Sequence, residues 1–219
     1  MTKKAIPTRI LRIASIASIA VFLSISSVLI VHGSGQIPLD RYVNGCASVR
    51  SDHTVDLIVL MTDIGDPIAM AILTAIFGTF LILRKDRRNA AILMGGMLLV
   101  FFLDLSLKLA FQRERPGAGG IPMDSYSYPS GHTFAVTFFF LFMAYLSNVR
   151  FSDPKVRWPL ISACFAMPLI IGATRILLGV HWLTDVLAGF AIGTFLVSSL
   201  VLLSRSIGGW KEKRTIYKR

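Results

Sequence analysis

The sequence predicts an all-α, polytopic membrane protein: six transmembrane helices in one bundle, with the N- and C-termini both cytoplasmic. Three observations predict it. Of the 219 residues, 54% are hydrophobic and only 16% charged, where a soluble domain carries about 25% charged residues, and the mean hydropathy is +0.66. Six apolar runs are each long enough to cross a hydrocarbon core of about 30 Å. The lysines and arginines concentrate in alternate connections, all on one side if six helices alternate.

The first run, near 12–31, follows Lys3, Lys4, Arg9 and Arg12. It lacks a small-x-small cleavage pattern before Gln36 and reads as a retained helix rather than a signal peptide. An outer loop, 32–66, carries Asp40, Asp52, Asp56, Asp63 and Asp66. Within it, Thr54 to Ile64 mixes apolar residues with acids, as a helix lying in the interface would. The second and third spans fall near 67–83 and 90–110, joined by Arg84, Lys85, Arg87 and Arg88. The fourth, near 133–149, is followed by Arg150, Lys155 and Arg157. The fifth, near 158–174, starts at Pro159 and holds Pro168, which predicts a kink. The sixth, near 182–204, precedes a tail with Lys211, Lys213, Arg214, Lys218 and Arg219. The basic loops and tails share the cytoplasmic side; 32–66, 111–132 and 175–181 share the other. This placement explains the net charge of +11 without nucleic acid as a partner, and basic ends suit anionic headgroups. Cys46 sits in a loop and Cys164 in an apolar run, so they are not expected to pair, and they have no metal-site spacing.

Three polar clusters interrupt the apolar chain on that outer side. The first runs from Lys108 through Arg113 and Arg115 to Pro116, the second is Pro129-Ser130-Gly131-His132, and the third spans Arg175, His181 and Asp185. His181 and Asp185 stand four apart, on one helical face. A carboxylate on one imidazole nitrogen fixes the tautomer and stabilises the charge formed when the other nitrogen attacks phosphorus. Asp185 lies about one turn inside the membrane, where an idle carboxylate costs about 2.5–3.5 kcal/mol. A partner is therefore expected, and His181 is the nearest in sequence. Arg175 can reach the same pocket through the Leu178-Gly179 turn, and its planar fork suits phosphate.

Ser130 is a candidate N-cap, and the N–H groups of a helix start favour an anion. Gly131 admits a phosphate close to the backbone. His132 titrates near neutral pH and can protonate a leaving oxygen. Lys108 can pair with Asp104 one turn before it, or reach up to a phosphate, or snorkel from a helix end. Arg115 stands at the helix exit, whereas Arg113, beside Glu114, is the weaker candidate. Each cluster alone also reads as ordinary interfacial polarity; the three together on one face read as a phosphate site.

The pattern Lys108…Arg115-Pro116, Pro129-Ser130-Gly131-His132, Arg175…His181…Asp185 resembles the signature of the type 2 phosphatidic acid phosphatase family. Thr174 stands where that family usually has serine, which keeps the hydroxyl. The resemblance implies one membrane-embedded phosphatase domain over 1–219, with its catalytic core at 108–185 and no metal or other cofactor. It implies His181 as a nucleophile forming a phosphohistidine, Asp185 as its support, and His132 as the acid on the leaving group. Lys108, Arg115, Ser130, Gly131 and Arg175 would hold the phosphate oxygens.

A site at the outer interface suits lipid phosphates, with membrane lipids as the other partners, and a multi-pass place in the bacterial inner membrane facing the periplasm or exterior. Undecaprenyl pyrophosphate is the leading substrate expected, with phosphatidylglycerol phosphate and phosphatidic acid as alternatives. A lipid phosphotransferase on the same scaffold and a non-enzymatic lipid-binding or transport protein are the rival classes. Selectivity is expected from 32–66 and 117–128, with Met123, Tyr126 and Tyr128 at the entrance.

Overall fold

The computed structural model describes residues 6–33, 37–47, 52–116 and 125–207. They form eight α-helices: α1 (Thr8–His32), α2 (Pro38–Ala47), α3 (Asp52–Thr62), α4 (Pro67–Leu83), α5 (Arg87–Phe111), α6 (Gly131–Arg150), α7 (Pro154–Leu177) and α8 (Leu183–Ile207). A 3-10 turn, Asp63–Gly65, joins α3 to α4.

Local chemistry sets the helix starts. Asp66 accepts from the Ile68 N–H with Pro67 in the first turn of α4, and Asp153 accepts from the Lys155 N–H with Pro154 opening α7. A carboxylate before a proline takes up an orphan donor of the first turn while the ring fixes φ. Asp86 does the same for α5 through the Asn89 N–H. That helix ends at Gln112, whose φ of 45° puts it in the left-handed region just before the Pro116 loop.

Five of these helices, α1, α5, α6, α7 and α8, are long and apolar enough to cross a membrane. Ile58–Gly65 and α4 meet at 51° and pass the same test only as a bent pair, which gives five spans, or six where that pair counts as one. By itself α4 spans about 26 Å at 1.5 Å per residue, somewhat short of the hydrocarbon core. The expected span at 67–83 falls on α4, and the expected interfacial segment at 54–64 falls on α3 and its turn. The sequence-based fifth span was too short: the chain is helical from Pro154 to Leu177 through both Pro159 and Pro168. The segment 32–66 also holds a further helix, α2, that hydropathy did not mark.

Helix α8 is the centre of the bundle. It packs against α1 on one flank and α6 on the other, and α6 also packs on α7. Small residues allow the α6–α8 contact. A Cβ on Gly189 would lie 2.9 Å from the Ser130 carbonyl oxygen, and one on Gly193 would lie 2.8 Å from the Thr137 Cβ. Glycines four apart let backbones approach where lipid supplies no hydrophobic drive between helices. This approach brings the start of α6 to the start of α8. Phe134, Phe138 and Phe142 fill the core beside it, while Ile13, Ile16, Leu23 and Ile30 of α1 face outward as an apolar belt.

Candidate active site

The site forms where four chain segments converge: the α5 exit (Arg113–Pro116), the stretch Ser125–Ser130 before α6, the C-terminal end of α7, and residues 178–185 leading into α8. Backbone bonds hold these segments in register. The Ser127 N–H donates to the Arg113 carbonyl at 2.8 Å, and the Ser130 N–H to the Asp185 carbonyl at 3.0 Å. Trp182 Nε1 and Ser127 Oγ both donate to the Glu114 carbonyl.

His181 is almost wholly buried. Its Nε2 lies 3.2 Å from Arg115 Nη1. A guanidinium can only donate, so Nε2 accepts and the neutral ring carries its proton on Nδ1. That nitrogen faces Asp185 Oδ2 at 3.5 Å. Burial first, then the charges of Arg115, Arg175 and Lys108, holds the His181 pKa well below the usual imidazole value. A neutral ring with an unprotonated Nε2 is the form that can act as a nucleophile once its lone pair turns from Arg115 to phosphorus. Arg115 has its own pKa lowered, chiefly by burial, with Asp185 and Asp104 opposing. It is locked in place through the Val180, Ser125 and Tyr126 carbonyls.

Asp185 is fully buried, and its nearest ionic partner is Arg113, not His181. Arg113 Nη1 donates to Asp185 Oδ1 at 2.6 Å, and the Trp182 N–H donates to Oδ2 at 2.9 Å. Arg113, the weaker phosphate candidate in the sequence, is engaged by carboxylates rather than lying in an open loop. It is 1% exposed because two carboxylates, Asp185 and Asp40, lie on either side of its fork.

His132 has Arg175, His181, Lys108 and Arg115 as electrostatic neighbours, so the three sequence clusters do meet. Gly65 makes room for it: a Cβ there would lie 3.3 Å from the His132 ring. Lys108 resolves to the first of its alternatives and pairs with Asp104 at 2.7 Å. That carboxylate rests on Gly131, where a Cβ would come within 2.8 Å of both oxygens. Arg175 is buried and donates to Thr62 Oγ1 at 3.3 Å. Among the described residues its buried Nε has no hydrogen-bond partner. Thr174, the departure from the family pattern, donates to the Ile171 carbonyl and to Thr62.

Two expectations need correction. Ser130 occupies the N-cap position of α6, but its side chain makes no capping bond; the hydroxyl accepts from Thr133 Oγ1 instead. Tyr128 does not line an entrance. It is fully buried, bonded to Ser26 Oγ of α1 at 2.8 Å and packed against Phe22 and Phe111. Burial raises its pKa to about 12. Tyr126 is exposed, and Met123 lies outside the described residues. Sequence reading also missed Asp40, which is 1% exposed. Its only signal was Pro38 two positions earlier, a helix-opening proline with an acid in the first turn. Among the described residues, no group of three His, Cys, Asp or Glu could hold a metal ion.

The arrangement can bind a phosphate between Arg115, Arg175, Lys108 and the start of α6, with Nε2 of His181 on its edge. Several known proteins share features of this chain. The family model for the PAP2 superfamily matches residues 89–207. Phosphatidylglycerophosphatase B of Bacillus subtilis (strain 168) is 32% identical over 124 residues, covering 53% of this chain and 61% of that protein. The chain thus matches less than two thirds of that relative's length. The crystal structure of the first transmembrane PAP2 type phosphatidylglycerolphosphate phosphatase from Bacillus subtilis has a similar fold, with a TM-score of 0.80 at 21% identity over 91% of this chain and 100% of that one. The crystal structure of Aquifex aeolicus LpxE is similar with a TM-score of 0.56 at 20% identity over 78% of this chain and 98% of that one.

Proposed function

This chain belongs to the PAP2 superfamily, and from that premise we propose that it is an integral membrane phosphatase acting on the terminal phosphate of a lipid through a phosphohistidine intermediate. The single observation that carries this reading is the line Arg115–His181–Asp185: a buried neutral imidazole with Nε2 toward a guanidinium and Nδ1 toward a carboxylate.

In the proposed mechanism the phosphate binds among Arg115, Arg175, Lys108 and the backbone N–H groups at Gly131 and His132. These groups offset the charge of the transferring phosphoryl group. His181 Nε2 attacks phosphorus while the bond to the lipid oxygen breaks. Asp185 stabilises the positive ring through Nδ1–H. The departing oxygen takes a proton from His132, whose protonated form is favoured by the bound phosphate's charge. Water then attacks the phosphohistidine, His132 takes the water's proton, and the P–N bond breaks to release phosphate and neutral His181. Lys108 leaves Asp104, or bridges it, to meet the phosphate.

For the substrate, phosphatidylglycerol phosphate comes first, because the relative at 32% identity carries that activity in its name. Undecaprenyl pyrophosphate follows, since the residues described hold the phosphate common to both. The basic loops support an inner-membrane location with the site facing the periplasm or exterior.

The experiment is phosphate release by purified protein in detergent with excess EDTA, using phosphatidylglycerol phosphate, undecaprenyl pyrophosphate and phosphatidic acid in parallel. Release that survives EDTA and disappears in His181→Ala is the expected result. Release that needs added metal, or persists in His181→Ala, overturns the mechanism. Phosphorylated acceptor without free phosphate would make the protein a transferase.

A further inference from the structure

The geometry points to Asp40 and Arg113 as a buried positioning pair that divides the two oxygens of Asp185, and through them, together with Arg115 on Nε2, holds His181 in its Nδ1–H tautomer. This inference rests on the phosphatase reading for its rate test, and on hydrogen-bond geometry alone for its second test.

Arg113 spans two carboxylates. Its Nη1 donates to Asp185 Oδ1 at 2.6 Å and to Thr184 Oγ1 at 2.7 Å. Its Nη2 donates to Asp40 Oδ2 at 2.7 Å. Asp40 closes the ring: Oδ1 accepts from the Thr184 N–H at 2.9 Å and Oδ2 from the Thr184 hydroxyl at 2.6 Å. Both acids and the arginine are at most 1% exposed. The Trp182 ring lies 5.5 Å from the guanidinium.

The consequence for Asp185 is specific. Arg113 occupies Oδ1, so Oδ2 takes the Trp182 N–H and faces His181 Nδ1 at 3.5 Å, close enough to attract the ring's proton but longer than a formed hydrogen bond. A carboxylate turns readily about its last torsion; a guanidinium on one oxygen stops it. Arg113 in turn is held by Asp40 through Nη2. Two carboxylates and one guanidinium leave one net negative charge, placed beside the imidazole that becomes positive during attack. Asp40 also comes from α2, outside the region that the family model covers. A segment of the outer loop therefore sets the geometry of a residue 145 positions later.

A plain anchoring role would make the same pair a clamp of α2 onto α8 with no influence on His181. A double-mutant cycle separates the two. Asp40→Asn and Arg113→Lys are made in the full chain, alone and with Asp185→Asn, and kcat and KM are measured separately. Asp40→Asn is expected to lower kcat by about 10- to 100-fold with KM within about 2-fold, as outer partners of a reacting group do. In the Asp185→Asn background the same change is expected to cost less than about 3-fold. Equal factors in both backgrounds, or a change confined to KM, overturn the inference. Arg113→Lys, which keeps the charge but loses the fork, repeats the test if Asp40→Asn does not fold.

The second test needs no turnover. NMR of protein labelled with 15N-histidine, with the His181 signal assigned by His181→Ala, reads the tautomer directly. The wild type is expected to show Nδ1–H alone, and both variants a mixture. An unchanged His181 pattern in both variants overturns the inference. If no lipid phosphate is hydrolysed at all, the proposed function falls and this arm alone decides the positioning role.

Discussion

Two ion pairs, one at each end of the bundle, have nearly the same length. Arg113 and Asp185 meet at 2.6 Å in the site; Arg150 and Asp86 meet at 2.5 Å between the basic loops. Their surroundings differ. The first pair is 1% and 0% exposed, the second 31% and 29%. At the basic end, water screens the attraction and a lost partner is easily replaced by solvent. At the site no solvent stands by, so each charge depends on its fixed neighbours. Bond length does not rank these pairs; burial does, and it marks which end of the molecule is built for chemistry.

The comparison can be broken most severely at His181. His181→Ala should lower phosphate release on the order of 10⁴-fold or more, since removing a nucleophile collapses the unit it belongs to, while no substitution at Arg150 should change the rate by more than about 2-fold. A comparable loss in Arg150→Ala would show that the ends are not functionally distinct. Thermal unfolding in detergent gives the next contrast. Arg113→Ala should cost about 3–5 kcal/mol by leaving buried carboxylates uncompensated, against less than about 1 kcal/mol for Asp86→Ala. Equal losses would mean that burial does not rank the pairs.

Two glycines sharpen the contrast at the backbone. Gly189→Val should destabilise by about 1–3 kcal/mol through overpacking and displace Ser130 from Asp185. Gly95, beside the groove of about 520 Å³ between α5 and α8, has nothing within 4 Å of its Cβ position. Gly95→Ala should therefore be neutral, or stabilise by up to about 1 kcal/mol through helix propensity. Circular-dichroism melts of the two variants check this.

The smallest effect is that of acid. The His181 pKa in the folded chain lies below its value when unfolded, about 6.5. Below that pH the unfolded chain takes up a proton that the folded chain refuses, so the stability contributed by neutral His181 is complete above it and declines as the pH falls. The melting temperature should drop more between pH 7.5 and 5.5 in the wild type than in His181→Asn. Parallel curves would mean that the ring is not held neutral.

How much of this was legible in the sequence depended on the range of the contact. Spans were readable because each is an apolar run, and some carry their own cap, as Asp66 does for Pro67–Leu83. His181 and Asp185 were readable because helical spacing places them together. Arg113 and Arg115 could be ranked only by their immediate neighbours, and nothing local says that Arg113 is the one enclosed by two distant carboxylates. Asp40 looked like one of several scattered acids, since its partners lie 73 and 144 positions away. Tyr128 was misplaced for the same reason: its hydroxyl partner, Ser26, belongs to a helix 102 positions earlier.

That last bond reaches further than the tyrosine. Helix α1 lies wholly outside residues 89–207, yet it donates or accepts at one buried point, Ser26 with Tyr128, and at one part-buried point, Ser15 with Ser199. Cutting the chain down to its family-matched segment would strip one flank of α8 of its cover. It would also leave a phenol stranded two residues from Ser130. A minimal catalytic fragment of this protein therefore has to begin with its first helix, and an attempt at a shorter one should yield protein that inserts but does not turn over.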